Sequence, residues 1–291
     1  MTIREETIMK KIFAMILAAV MVLSMAACSG SNSTAEQTAL DKIIEKGEIT
    51  VAISPDFAPS EFKDPNTGEV LGSDVYVANY VAVYLSKKYN KEIKLVIEEM
   101  DFKSCQAAVS TGSVDFSVNA YAATDERKEN YIVSSHYGMT DDENSYQGFL
   151  VFEEDAAKLS TPESFSGKTI AVQLASLQYN LVTAQLPEDI KIEYITTVTQ
   201  GALMLANHTV DALRTPSETG ALLMQNYDGL AMAEFHLDYS SEGSVALINL
   251  NNPELAEAIS EAIDDMVANT NWPEIRQHYT DIAAELGVTN D

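Results

Sequence analysis

The four histidines and two cysteines are the side chains best suited to metal or nucleophilic chemistry, and their spacing serves neither. His136, His208, His236 and His278 stand 72, 28 and 42 residues apart, with no cysteine or carboxylate at zinc-site intervals. Cys28 and Cys105 are too few for a disulfide scaffold or a structural zinc. Cys105 falls on the apolar face of an expected helix with Lys103 as its one basic neighbour, so a packed core thiol is expected rather than a nucleophile. Asp141-Asp142-Glu143 lies in a polar stretch and reads as a solvated loop rather than a calcium site. A Gly-x-Ser-x-Gly elbow, a phosphate loop and a dinucleotide glycine signature are all missing from the sequence. No catalytic residue, metal or cofactor is expected. The chemistry left is binding.

Composition narrows what could be bound. The 291 residues carry 18 Lys and Arg against 44 Asp and Glu, a formal charge of −26. A nucleic-acid partner needs a basic face that this balance does not supply. With 46% hydrophobic residues the chain can bury a sizeable core, and its length suits two ordinary domains or one large α/β unit.

The first residues set the compartment. Lys10-Lys11 precedes sixteen residues, Ile12 to Ala27, in which Ser24 alone is polar. That is an export signal, too short to span a bilayer comfortably. Its end, Leu23-Ser24-Met25-Ala26-Ala27-Cys28, resembles a bacterial lipobox, which implies cleavage before Cys28 and a diacylglyceryl group on its thiol. Glu5 and Glu6 are unusual in such a leader, and Met9 is an alternative start. Residues 28–39 then read as a flexible Ser/Asn/Thr-rich tether.

Beyond the tether, strands and helices alternate in two copies of one plan. The first runs from a strand at Ile49–Ser54 through a helix at Asp74–Asn90, a strand around Ile93–Ile97 and a helix at Phe102–Thr111 to a strand at Val114–Val118. The second has strands at Thr169–Gln173, Ile190–Ile195 and Val210–Leu213, with helices at Ser176–Leu186 and Thr199–Asn207 between them. Each copy ends its second helix at a residue tolerant of left-handed backbone, Gly112 or Asn207, and opens the next strand with Val-Asp. Amphipathic helices at Pro253–Asn269 and from Trp272 to Leu286 close the chain. This order implies an α/β fold of two lobes, each a mostly parallel sheet flanked by helices, with a ligand cleft at the strands' C-terminal ends.

Several dispersed pieces, in order, resemble the type II periplasmic binding proteins. The likeness is to the solute-binding lipoproteins of amino-acid ABC importers, bacterial extracellular solute-binding protein family 3. These pieces are Ser54-Pro-Asp-Phe-Ala-Pro-Ser-Glu-Phe-Lys-Asp64, Gly72-Ser-Asp-Val75, Asp101-Phe102, Gly112-Ser-Val-Asp115, Thr124-Asp-Glu-Arg127, Gly167-Lys-Thr-Ile-Ala-Val172 and Asn252-Pro-Glu-Leu255. The resemblance implies that Arg127 grips a ligand carboxylate and that Phe57 and Phe102 stack on the ligand. It places Asn119, Ala120 and Tyr121 beside it, with Ser176, Leu177 and Gln178 meeting an anionic oxygen at a helix start. The sequence departs from the family where Ser60 and Ser73 replace bulky aromatics and Ala122 replaces a hydroxyl residue. Pro216 stands where the family carries the Asp that binds an α-ammonium. Glu218, then Asp56, are the neighbouring acids that could supply that charge.

The resemblance further implies two hinge crossings, near Gln147–Val151 and Val245–Asn249. Residues 40–147 and 250–291 would form the first lobe, and residues 148–249 the second, hinge strands included. The expected protein is monomeric, extracytoplasmic and lipid-anchored, captures a small carboxylate such as an amino acid, and hands it to an ABC permease. The alternatives are a ligand-presenting surface receptor or divergent non-transport binder, and an enzyme like cyclohexadienyl dehydratase.

Overall fold

The computed structural model describes residues 37–138, 146–240 and 242–288. The expected leader, Cys28, most of the tether and Asp141-Asp142-Glu143 lie outside them. Helix α1 (Ala39–Lys46) starts on the last residue of the expected tether, because Thr38 and Asp41 form a reciprocal capping box there. The chain continues through β1 (Glu48–Ile53) and three short strands, β2 (Asp56–Phe57), β3 (Glu61–Lys63) and β4 (Val70–Leu71), which pair as a small antiparallel sheet. Helix α2 (Ser73–Tyr89), β5 (Lys94–Glu99), α3 (Phe102–Thr111), β6 (Phe116–Ala122), α4 (Asp125–Asn130) and β7 (Ile132–Val133) follow.

The second lobe comprises β8 (Gln147–Phe152), α5 (Glu153–Ala156), β9 (Thr169–Gln173), α6 (Leu177–Gln185), β10 (Lys191–Ile195), α7 (Val198–Ala206), β11 (Ala212–Pro216), α8 (Ser217–Asn226) and β12 (Leu230–Met232). The chain returns through β13 (Ser244–Ile248), α9 (Pro253–Asn269) and α10 (Trp272–Leu286). The two sheets have the orders β5-β1-β6-β13-β7 and β10-β9-β11-β8-β12, and in each the fourth strand alone runs against the other four.

Apolar spacing explains the layers. Val77, Val81 and Leu85 of α2 meet Leu255, Ile259 and Ile263 of α9 on one face of the first sheet. Cys105 and Val109 of α3 are buried on its other face. Burial pushes the Cys105 thiol up to about 12, as suits a core group rather than a nucleophile. In the second lobe Phe149, Phe165 and Val182 fill one side of the sheet, with Leu205, Leu213 and Leu223 on the other.

The repeated Val-Asp is a carboxylate clamp. Asp115 Oδ2 accepts from the Thr50 N–H at 2.6 Å and its hydroxyl at 2.7 Å, tying the third parallel strand to β1. Asp211 Oδ2 accepts from the Thr169 N–H at 2.7 Å and does the same for β9. The left-handed residue ahead of the clamp is Gly112 in the first copy, at φ 72°, but His208 in the second, at φ 56°. Asn207, expected there, has φ −89°. The number of residues back from Val-Asp fixes this position, and it falls on His208, whose ring stacks on Phe152 at 4.2 Å.

The lobe boundaries also differ from those expected. Gln147 is already paired with Pro216 in the second sheet, and Ser244–Ile248 is a strand of the first, between β6 and β7. Both connections therefore come earlier in the chain. An apolar pentapeptide does not declare its sheet, and only its partners, 120 or so residues upstream, assign it. No helix among the described residues is long and apolar enough to cross a membrane.

Candidate binding cleft

A cleft of about 590 Å³ lies between the lobes, within the range of small-molecule sites. Its wall is built where strands end: Phe57 after β1, Phe102 after β5, Asn119 and Ala120 near the end of β6, Gln173 closing β9 and Pro216 closing β11. Arg127, Leu177, Gln178 and Glu218 also line it. The sequence-derived candidates therefore converge, with three exceptions: Asp56, Tyr121 and Ser176 are not on this wall.

Arg127 is placed by a short helix that its own motif starts. Thr124 caps α4 by accepting from the Arg127 N–H at 3.3 Å, so the Thr-x-x-Arg spacing is a helix start that aims the guanidinium. The side chain keeps 6% exposure and donates from Nη1 to the Ala122 carbonyl at 2.9 Å. Its guanidinium lies 5.8 Å from the Phe102 ring and 4.9 Å from that of Tyr121. No ion pair of Arg127 occurs among the described residues. Burial pulls its pKa below the ordinary arginine range, as a charge awaiting compensation should behave.

Other candidates serve the wall from behind. Tyr121 is fully buried, its ring 5.2 Å from Phe102 and its hydroxyl bonded to Ser117 and Asn119. The Asn119 side chain is spent inside the lobe, accepting from the Ser54 N–H at 2.6 Å and donating to Ala52 and Ser117. Ala120 takes φ 46°, and its N–H is fixed by Asp74 Oδ2 at 2.5 Å. Ser176 occupies the N-cap position of α6, but its hydroxyl donates to the Gln173 carbonyl at 2.6 Å and caps nothing. It faces a neighbouring depression with Leu177 and Tyr179.

Arg276, on the last helix, was not among the candidates, and it reaches Ser60 and Ser73, the two serines found where aromatics were expected. Its Nη1 donates to Ser60 Oγ at 2.8 Å and to Ser73 Oγ at 3.3 Å, while Nε and Nη2 donate to Glu218 Oε2 at 3.2 and 2.5 Å. Gly72, at φ 135°, lets the two serines come together, since a Cβ there would fall 2.1 Å from the Ser60 carbonyl oxygen. Glu218 is thus committed to Arg276 across the cleft, with Oε1 left over. Asp56 is engaged too: its carboxylate accepts from Ser54 Oγ at 2.6 Å, the Val198 N–H at 2.9 Å and Gln173 Nε2 at 3.2 Å. The last two bonds tie β2 to the second lobe, at the N-terminus of α7. Thr219 adds another tie, donating to the Ala58 carbonyl at 2.9 Å.

Of the histidines, His236 alone lines the cleft, its ring 5.1 Å from that of Tyr146. No group of three or more His, Cys, Asp and Glu side chains able to hold a metal occurs among the described residues.

Comparison with known proteins agrees with this architecture. The probable ABC transporter extracellular-binding protein YckB of Bacillus subtilis is 30% identical over 152 residues, 51% of this chain and 49% of that one. A probable histidine-binding protein of Campylobacter jejuni is 25% identical over 257 residues, 88% of this chain and 93% of that one. The chain spans about half the length of the first relative and nearly all of the second. A solved amino-acid ABC transporter substrate-binding protein from Streptococcus pneumoniae, bound to L-arginine, superimposes with a TM-score of 0.74 at 26% identity, covering 84% of this chain and 98% of that one. Residues 49–282 match the family described as bacterial extracellular solute-binding proteins, family 3. With two lobes of type II periplasmic-binding-protein architecture and most of its length matched, the chain belongs to that family.

Proposed function

We propose that the protein is an extracytoplasmic, lipid-anchored solute-binding protein that captures a small carboxylate, an amino acid or close analogue, for an ABC importer. The observation that carries this is Arg127: a nearly buried guanidinium on the cleft wall, flanked by two aromatic rings, with a neutral carbonyl as its one hydrogen-bond partner among the described residues. A planar cation so placed can make two parallel charge-assisted bonds to a carboxylate. Phe57 and Phe102 offer apolar surface beside it. Ligand entry adds to the contacts between lobes, and the closed form is what the transmembrane permease would distinguish from the open one. The lipid on Cys28 would keep the monomer at the membrane where that permease sits. Transport relatives and the lack of a local catalytic motif support a binding rather than an enzymatic role.

The test is Arg127→Ala, read by titration calorimetry with the compound that co-purifies with the protein, identified by mass. Stranding a ligand carboxylate corresponds to about 2 kcal/mol or more, a loss of roughly 30-fold in affinity. A change below about threefold would remove the carboxylate reading.

A further inference from the structure

The cleft region has a second guanidinium without a carboxylate partner among the described residues. Arg214, in β11, keeps 2% exposure. Its Nη2 donates to Gln147 Oε1, while Nε and Nη1 are buried with no hydrogen-bond partner among the described residues. No ion pair of Arg214 occurs among the described residues. A buried charge left in this state is costly, so a chain that keeps one has a use for it or a partner absent at rest. The bond to Gln147 says where the charge is delivered. Gln147 lines the cleft, and because its carbonyl oxygen is held by Arg214, its amide N–H₂ is the group left for a ligand.

The arginines of the cleft region are not equally matched. Arg276 is matched by Glu218, and the Asp74 carboxylate is engaged by the Ala120 N–H and the Tyr137 hydroxyl. Arg127, on α4, and Arg214, on β11, are the unmatched cations: neither makes an ion pair among the described residues. The other wall acid, Asp238, is exposed. One carboxylate can satisfy Arg127 alone. The second cation asks for a second anionic group.

We propose that Gln147, backed by Arg214, is a second oxyanion subsite, and that the preferred ligand carries two carboxylates, one at Arg127 and one at Gln147. Gln147 contacts the ligand, while Arg214 is a positioning residue that fixes the amide and supplies charge behind it. This rests on the solute-binding reading above and specifies its substrate class.

The experiment compares L-glutamate and glutarate with L-glutamine and L-arginine on the full chain, by thermal shift and calorimetry. Expected is at least tenfold tighter binding of the two diacids than of glutamine, which matches glutamate in shape but lacks its second charge. Arg214→Met should weaken the diacids by 30-fold or more and change glutamine less than threefold, whereas Arg214→Lys should restore most of the preference. Equal or tighter binding of glutamine or arginine would overturn this inference and leave the solute-binding reading intact. Failure of every one of these acids to bind would likewise overturn it, while the co-purifying compound remains the test of the solute-binding reading. Gln147→Glu needs no ligand: a carboxylate beside Arg214 should raise the melting temperature of the empty protein and abolish the diacid preference. A lower melting temperature would mean that Arg214 is not an uncompensated charge at Gln147, and would overturn the inference by itself.

Discussion

Removing either partner of the Arg276–Glu218 pair should loosen the grip between the lobes by an amount the geometry sets. Two N–H groups of Arg276 converge on one oxygen of Glu218 at 3.2 and 2.5 Å, and the side chains keep 19% and 31% exposure. A fully exposed pair would couple by ~0–1 kcal/mol. Hydrogen bonds to charged groups in protected surroundings reach ~1.5–3 kcal/mol. At this intermediate exposure the coupling should be about 1.5 kcal/mol. Arg276→Met should cost more than Glu218→Gln, because it also deprives the hydroxyls of Ser60 and Ser73, both fully buried, of their donor. A double-mutant cycle over Glu218→Gln, Arg276→Met and the pair, read by urea unfolding at constant m, measures the coupling directly. Distant, independent sites add to within ~0.5 kcal/mol. Coupling below that would refute the argument, leaving Glu218 free to take a ligand ammonium after all.

Glu61 keeps 1% exposure with Oε2 unpartnered, and burial, then Asp74 and Asp56, push its carboxyl well above the ordinary range. The folded chain then binds more protons than the unfolded one between the ordinary and the raised pKa, so stability falls as pH rises through that window. Glu61→Gln should flatten the slope and stabilise by on the order of 1 kcal/mol near neutrality; an unchanged slope in unfolding midpoints across pH would contradict this. Cys28→Ala should move the protein from the membrane pellet to the soluble extracytoplasmic fraction, since acyl chains are what would hold it. Continued pelleting of that variant would exclude the anchor.

Local periodicity made the fold legible. The stripe Val77, Val81, Leu85 could only be a helix on a sheet, and Thr124-x-x-Arg could be read as a motif before its capping bond was known. Val-Asp marked corresponding points in both lobes, although its role as a clamp needed Thr50 and Thr169 in place. Side-chain partnerships across the cleft were not legible. Ser60 and Ser73 registered only as missing aromatics, while Arg276, more than 200 positions away, looked like any charge on an amphipathic helix. Glu218 had a suitable place in sequence, yet its partner is 58 residues downstream. Hydrophobic burial writes itself into spacing every two or four residues, but a single polar contact between lobes leaves no period to read.

The strand Ser244–Ile248 also sets an order of events during synthesis. Every strand of the second sheet comes from one uninterrupted stretch, 147–232, so that lobe holds all its strands as soon as this stretch has emerged. The first sheet is different: its β6 and β7 are made early, yet the strand that fills the gap between them arrives only after the whole second lobe. Until residue 248 is available, β6 presents an unpaired edge, and the apolar faces that α9 will cover have no partner. The part of the molecule nearest the N-terminus is therefore the last to close.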